Sequence, residues 1–435
     1  MSKRLTRRDF IRLAGLGTAG AGLGLAGCAP REPEVNGRVE GRVVVVGGGS
    51  GGATAARYLK HHAPELEVTL IEPNESYYTC YAGNWYLGGF RELRTLRHGY
   101  HTLRDEYGIQ VIHDRARDID LDGHRVETAE NGPIAYDRLV VAPGIAFDWD
   151  RVEGMDGDDT IAVPHAWWGG AQYSILRGQI EAMDDGGTVV ICPPDGPYRC
   201  PPGPYERMSL IAHYLKQHKP RAKVLALDPK DSFSKQGLFE EAWEELYGDM
   251  IEWVPAADGG KPDRISVRDR KVFTDGGGAE HRADVLNVIP PQKAGAIAER
   301  AGLTDDDGWC PVDQRTFRST RHDDVYVVGD AAVAGDMPKS GHAANNQAKL
   351  VAASIVSELR GHEVPSFPTV NTCYSLAAPD WGVTVAAVYE YRDGAMRSVE
   401  GAGGLSPEGA SREFRKREAD YAPGWYASIT RDIFG

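Results

Sequence analysis

The sequence predicts an α/β chain with two Rossmann-like nucleotide-binding units and a smaller α+β unit at its C-terminal end. Three observations predict it. An apolar run, Val43 to Val46, enters Gly47-Gly48-Gly49-Ser50-Gly51-Gly52, an amphipathic stretch follows, and a second apolar run ends at Glu72. A second strand–loop–helix–strand pattern opens near Ala166 and ends at Asp228. A third apolar run, Val325 to Val328, leads into Gly329-Asp330-Ala331.

The first unit has the layout a dinucleotide needs. Gly47 permits a tight turn, Gly49 lets a pyrophosphate approach the backbone, and Gly52 lets the helix pack on the sheet. The helix that opens at Ser50 points its N-terminus at the phosphates, and Glu72 can hold a ribose 2′-OH. Tyr136 to Gly144 reads as a strand ending in a tight turn, which adds Ala142 and Gly144 to the cofactor-binding positions. In two-dinucleotide flavoproteins, a strand running into Gly-Asp-Ala places the Asp carboxylate at the ribityl chain, which assigns Gly329 and Asp330. A helix follows from near Ser340 to about Leu359.

The second unit copies the first with one change. Its strands, Thr188 to Ile191 and Lys223 to Leu227, flank a helix with Met208, Ile211, Ala212 and Leu215 on one face. The loop between, Cys192 to Pro204, is proline-rich where a glycine turn is needed. Proline has no N–H for a phosphate, and its ring blocks close approach. A nicotinamide-type unit is therefore expected to keep its fold without its binding turn. The expected boundaries are a signal and linker over 1–40, a flavin-binding unit over 41–150 and 293–364, the second unit over 151–292, and an interface or capping unit over 365–435.

A formal charge of −14 over 435 residues argues against a nucleic-acid partner. Arg7-Arg8-Asp9-Phe10-Ile11, with a short weakly hydrophobic run to Ala26, reads as a twin-arginine export signal and predicts a periplasmic protein. Leu25-Ala26-Gly27-Cys28 reads as a lipoprotein cleavage box, with lipidation at Cys28 the one predicted membrane link, or as an ordinary small-residue cleavage site. The six cysteines form no CxxC, no metal-binding spacing and no CxxCH, so no metal site and no c-type haem is expected on this chain.

Tyr77-Tyr78-Thr79-Cys80-Tyr81, Tyr198 to Glu206, Gly308 to Asp313, Met337 to Gly341 and Asn371 to Tyr374 occur in order. With these strings the chain resembles the flavoprotein subunit of flavocytochrome c sulfide dehydrogenase from about Gly41 to Gly435. That family is a periplasmic relative of the glutathione-reductase-type flavoproteins. It oxidises sulfide and passes electrons through FAD to a c-type cytochrome subunit.

The resemblance implies that Cys80 carries FAD through a thioether. It also implies that Cys200 and Cys373 form a redox disulfide beside the flavin. A purely structural bridge, or a Cys192–Cys200 pair, are the alternatives; Cys310 reads as a packed thiol. Glu206 is implied as a proton-handling carboxylate, against a first-turn Glu favoured by the helix dipole. Lys339 and the helix after it are implied to stabilise negative charge at the flavin N1/O2 edge. His342 departs from the tyrosine expected there. Trp425 is implied beside the flavin, coupling it to a haem, or else as a core residue. The competing function is sulfide:quinone oxidoreduction. The tail Ser411 to Asp420 is highly charged without a broad apolar face, which favours the cytochrome.

Overall fold

Buried parallel strands carry the architecture. The computed structural model describes residues 40–435; Arg7, Arg8 and Cys28, on which export and lipidation rest, lie outside the described residues. The first unit opens with β1 (Arg42–Val46), α1 (Ser50–His62) and β2 (Glu67–Ile71), followed by β3 (Gln110–Ile112) and β4 (Arg138–Val141). The second contains β5 (Thr188–Cys192), α2 (Gly203–His218), β6 (Lys223–Leu227), β7 (Ile251–Val254) and β8 (Val285–Val288). The chain then returns through β9 (Cys310–Asp313), β10 (Arg318–Ser319), β11 (Val325–Val327), β12 (Ala332–Val333) and α3 (Gly341–Leu359).

These strands form two sheets. The larger has eight strands in the order β12-β9-β10-β11-β4-β1-β2-β3, and the smaller runs β7-β6-β5-β8. From β11 to β3 every pairing is parallel, as are all pairings of the smaller sheet. Both faces of such strands are covered, so they read as unbroken apolar runs. Val43, Val44 and Val45 are fully buried between α1 and the opposite face. The two connections between the sheets, Ile145–Phe147 and Gln292–Ala294, pair antiparallel and form a short two-stranded hinge of their own.

The C-terminal unit is a three-stranded antiparallel sheet, β13 (Thr369–Ala378), β14 (Trp381–Arg392) and β15 (Ala395–Leu405), followed by α4 (Arg412–Phe434). The charged tail seen in the sequence is the first half of α4. Arg415, Ala419, Ala422, Tyr426, Ile429 and Ile433 are buried at three- and four-residue spacing. That spacing is one helical face, and it is turned inward onto β14 and α1. Among the described residues no helix is long and apolar enough to cross a membrane. The last turn is pinned. Asp432 accepts from Tyr58 at 2.7 Å and from Asn345 at 2.9 Å, Lys349 pairs with it at 2.7 Å, and the Phe434 ring stacks on His98 at 5.1 Å.

Arg415 joins α4 to the second unit. Its side chain is fully buried, and Nη2 donates to Glu241 Oε1 and to the Pro407 carbonyl, both at 2.9 Å. Removing one member of a buried pair strands the other. Arg415→Met is expected to destabilise the fold by about 2–4 kcal/mol, read as a lower denaturant midpoint at unchanged slope. An unchanged midpoint would show that the pair contributes nothing net.

Candidate active site

The carboxyl ends of the large sheet open into a cavity of about 1000 Å³, lined by Gly47, Gly49, Ser50, Glu72, Ala142, Gly144, Gly329 and Asp330. Ligands of open parallel sheets bind at these ends. Gly47 sits at φ +100°, and a Cβ there would lie 2.3 Å from the Ala142 carbonyl. Gly52 does not line the cavity; a Cβ on it would lie 1.8 Å from the Gly47 carbonyl, so its bare backbone is what lets α1 close onto β1. Gly49 caps α1 without any side-chain hydrogen bond, which leaves the first-turn amides open to an anion. Glu72 is buried. It accepts from Gly48 N at 2.8 Å through one oxygen, and from Asn74 N and Nδ2 at 2.9 and 2.7 Å through the other.

Asp330 is the strongest sign of a missing partner. Its Oδ1 is buried without a hydrogen bond, and burial pushes its carboxyl above the ordinary range. An unsatisfied buried acceptor is costly, and a polyol hydroxyl would satisfy it. The volume, the open amides and this orphaned oxygen together fit FAD.

A second, smaller cavity of about 40 Å³ abuts the first and is lined by Cys80, Cys200, Cys373, Glu206, Arg199 and Trp425, among others. Cys80 and Arg199 line both cavities. All five described cysteines are free thiols in this structure. Cys80 follows the short strand Ser76–Tyr78, and burial raises its pKa. Cys200 is held at φ +59°, a left-handed conformation unusual for a residue with a side chain. Its N–H donates to the Lys339 carbonyl and its own carbonyl accepts from Gly203 N, both at 2.8 Å. Cys373 lies on β13 opposite Val385. The Lys235 ammonium holds that strand, donating to the Cys373 carbonyl at 3.0 Å and to Ser375 Oγ and the Val383 carbonyl at 3.1 Å.

Glu206 is buried in the first turn of α2. It accepts from Leu376 N at 2.9 Å, Asn84 Nδ2 at 2.8 Å and Trp85 Nε1 at 3.4 Å. Burial outweighs these donors and holds its carboxyl above the ordinary range. Trp425 meets Tyr81 edge-on at 5.8 Å and His342 at 6.1 Å. His342 Nδ1 accepts from Thr372 N at 2.8 Å, which places its proton on Nε2.

Two sequence expectations are corrected here. The Lys339 ammonium, expected at the flavin edge, lines neither cavity. It donates to the carbonyls of Asp330 at 2.7 Å and Ala332 at 3.2 Å and lies 3.6 Å from the Trp309 ring centre. It thereby ties the tight turn Gly329–Ala331 to the start of β12, and burial lowers its pKa to about 8. What Lys339 gives the site is its own carbonyl, at Cys200. The alternative Cys192–Cys200 pairing also fails, because Cys192 is buried at the end of β5 and lines a separate cavity with Pro193 and Pro194. Cys310 is fully buried, and burial pushes its thiol up to about 12.

Sequence reasoning missed Arg199, Arg207 and Asn84. Arg207 is buried, donating to Asn287 Oδ1 at 2.8 Å, to the His165 carbonyl at 2.9 Å and to Asn84 Oδ1 at 3.2 Å. The available signal for the arginines was their place beside Cys200 and Glu206, where the proline loop runs into a helix.

Comparison with known proteins follows this geometry. Residues 173–290 match the model of the sulfide dehydrogenase [flavocytochrome c] flavoprotein chain, central region, and residues 365–434 match that of the flavocytochrome c sulphide dehydrogenase flavin-binding region. Residues 41–166 match pyridine nucleotide-disulphide oxidoreductase. The sulfide dehydrogenase [flavocytochrome c] flavoprotein chain of Chlorobaculum thiosulfatiphilum is 56% identical over 39 residues, 9% of this chain and 81% of that sequence. The chain belongs to the flavocytochrome c sulfide dehydrogenase flavoprotein family. Related oxidoreductases share the body of this flavoprotein. The mitochondrial sulfide:quinone oxidoreductase of Mus musculus is 26% identical over 305 residues, 66% of this chain and 65% of the mouse protein. The sulfide:quinone oxidoreductase structure from Aquifex aeolicus has the same fold, with a TM-score of 0.68, 19% identity, and coverage of 90% of this chain and 92% of that one. The two family regions and the cavity described above make this flavoprotein an FAD protein.

The glycine geometry sets a direct check. Gly52→Ala is expected to purify largely without flavin, because the new methyl overlaps the Gly47 carbonyl. Gly178→Ala, where a Cβ meets nothing within 4 Å, serves as the control and is expected to keep it. Equal flavin content in both proteins would contradict this account of the turn.

Proposed function

We propose that the protein is the flavin subunit of an exported sulfide:cytochrome c oxidoreductase. The observation that carries the reading is the meeting of Cys80, Cys200 and Cys373 on one small cavity that shares a wall with the flavin cavity. Three cysteines from three separate stretches of chain have no packing reason to converge there.

In this reading Cys200 and Cys373 are joined in the oxidised enzyme. Hydrosulfide attacks one sulfur, the bridge breaks, and a persulfide and a thiolate result. FAD supplies an acceptor for two electrons that can release them singly. Cys80 anchors it covalently, which prevents loss outside the cell. Glu206, held above the ordinary carboxylate range by burial, is the carboxyl placed to exchange a proton with the cavity. Trp425, between Tyr81 and His342, offers an aromatic route from the site towards a docked haem. The inward-facing stripe of α4 leaves no apolar helix face for a membrane, which favours a c-type cytochrome over quinone as the acceptor. The twin-arginine string at Arg7 and Arg8 supports a periplasmic location, with Cys28 as a lipid anchor if it is modified.

Two measurements test this. Flavin is expected to stay with the chain after acid denaturation and to be released from Cys80→Ser. Complete release from the unaltered chain would remove the covalent claim. Anaerobic sulfide is expected to bleach the flavin of the unaltered protein but not of folded, flavin-loaded Cys373→Ser, and the native complex is expected to reduce its haem. Normal turnover by Cys373→Ser would remove the relay. A protein that reduces quinone analogues and not cytochrome c would be a sulfide:quinone enzyme.

A further inference from the structure

A buried cation stands where the two cavities meet. Arg199 precedes Cys200 in the proline loop and is 8% exposed. Its main-chain N–H donates to Gln292 Oε1 at 2.9 Å, and Nη2 donates to the Trp167 carbonyl. Its Nε is buried and finds no acceptor. A guanidinium stays charged at every working pH, and an unmet donor on it is costly to bury.

Most of the groups facing it are neutral. Cys80, Tyr77, Tyr173 and Cys200 surround it, and burial raises the pKa of each, so all four are favoured neutral. Asp330 is the carboxylate that faces it; burial raises that carboxyl's pKa, and the charge of Arg199 offsets part of the rise. Arg207 adds a second positive charge nearby. With Cys80 tied up in a thioether and Cys200 in a bridge, the arginine loses even the anions those thiols could form.

We propose that Arg199 is a catalytic residue that holds the substrate as an anion, its free Nε–H forming the hydrosulfide subsite beside the Cys200–Cys373 pair. The inference rests on the function proposed above and names its substrate class: a small inorganic sulfur monoanion. The cavity's size agrees. About 40 Å³ is room for roughly three water molecules, the scale of a small inorganic anion.

The chemistry balances around the same cation. Hydrosulfide brings one negative charge and its lone pair forms the new S–S bond. The bridge's S–S bond breaks, and its electron pair leaves on the second cysteine as thiolate. The attacking sulfur is oxidised and the leaving sulfur reduced, while the proton stays on the terminal sulfur of the persulfide. The charge moves only from one sulfur to another within the cavity, and a preorganised guanidinium favours it throughout.

The test is anaerobic stopped-flow reduction of the flavin in the holoprotein across a range of sulfide concentrations. Arg199→Gln is expected to raise the half-saturating sulfide roughly tenfold to a hundredfold, the loss expected for one charged hydrogen bond. Its limiting rate should change much less. Arg199→Lys, which keeps the charge, is expected to recover part of the loss. Unchanged half-saturation in flavin-loaded Arg199→Gln would overturn the inference. So would equal slowing of the limiting rate in both variants, the mark of a structural role. The unaltered protein gives a second arm should the variants not fold. Azide, a small monoanion, is expected to raise the half-saturating sulfide without lowering the limiting rate, and no effect of azide would count against the subsite. If sulfide does not bleach the unaltered protein at all, the parent function fails and this inference with it. Normal bleaching with unshifted saturation removes the inference alone.

Discussion

One buried carboxylate holds the reactive centre together. Glu206 sits on α2, yet its three donors come from elsewhere: Asn84 and Trp85 from the first unit, and Leu376 N from the C-terminal sheet. The bonds to Asn84 and Leu376 are short, and all three are buried, where electrostatic interactions are strongest and a lost partner costs most. They set the Cys200 loop against the Cys373 strand across a boundary that no covalent bond spans in this structure. Lys235 holds the same strand, fixing the Cys373 carbonyl, and its charge also acts on Glu206. The site is thus assembled by hydrogen bonds between units, and its geometry depends on all of them being docked.

That dependence explains the distribution of buried charge. Arg207, Arg415, Glu206, Lys235 and Arg199 are all at most 8% exposed. Four of them bridge one stretch of chain to another through donors and acceptors that fix direction as well as distance. Arg199 keeps its Nε without an acceptor and lines both cavities. Buried ionic groups add little net stability, but they discriminate between one docked arrangement and a slightly shifted one.

Local demands were legible in the sequence. Gly47 and Gly52 answer to contacts with neighbours a few residues or one strand away, so their spacing alone marked the turn. The parallel strands announced themselves as apolar runs because both of their faces are covered. The prolines between Cys192 and Pro204 ruled out a phosphate turn for a reason internal to proline. What could not be read was direction. Lys339 has the right charge near the right turn, but the carbonyls of Asp330 and Ala332 pull its ammonium away from the cavity. Arg199 gave no sign of its surroundings, since Asp330, Tyr77 and Tyr173 reach it only through the fold. In α4 the charged first half masked a stripe that begins at Arg415 and gathers its apolar residues only from Ala419 onward.

The last turn of α4 has a consequence for the rigidity of the cofactor chamber. Phe434 packs its ring 5.7 Å from that of Tyr77, which lines the large cavity. Asp432 ties α1 to α3 through Tyr58, Asn345 and Lys349. A helix of the C-terminal unit thus braces, from behind, a wall of the nucleotide site and the two helices that flank its glycine turn. Loosening of α4 would therefore be felt at the flavin cavity as well as at its own sheet, which makes the chamber only as stiff as the docking of the third unit.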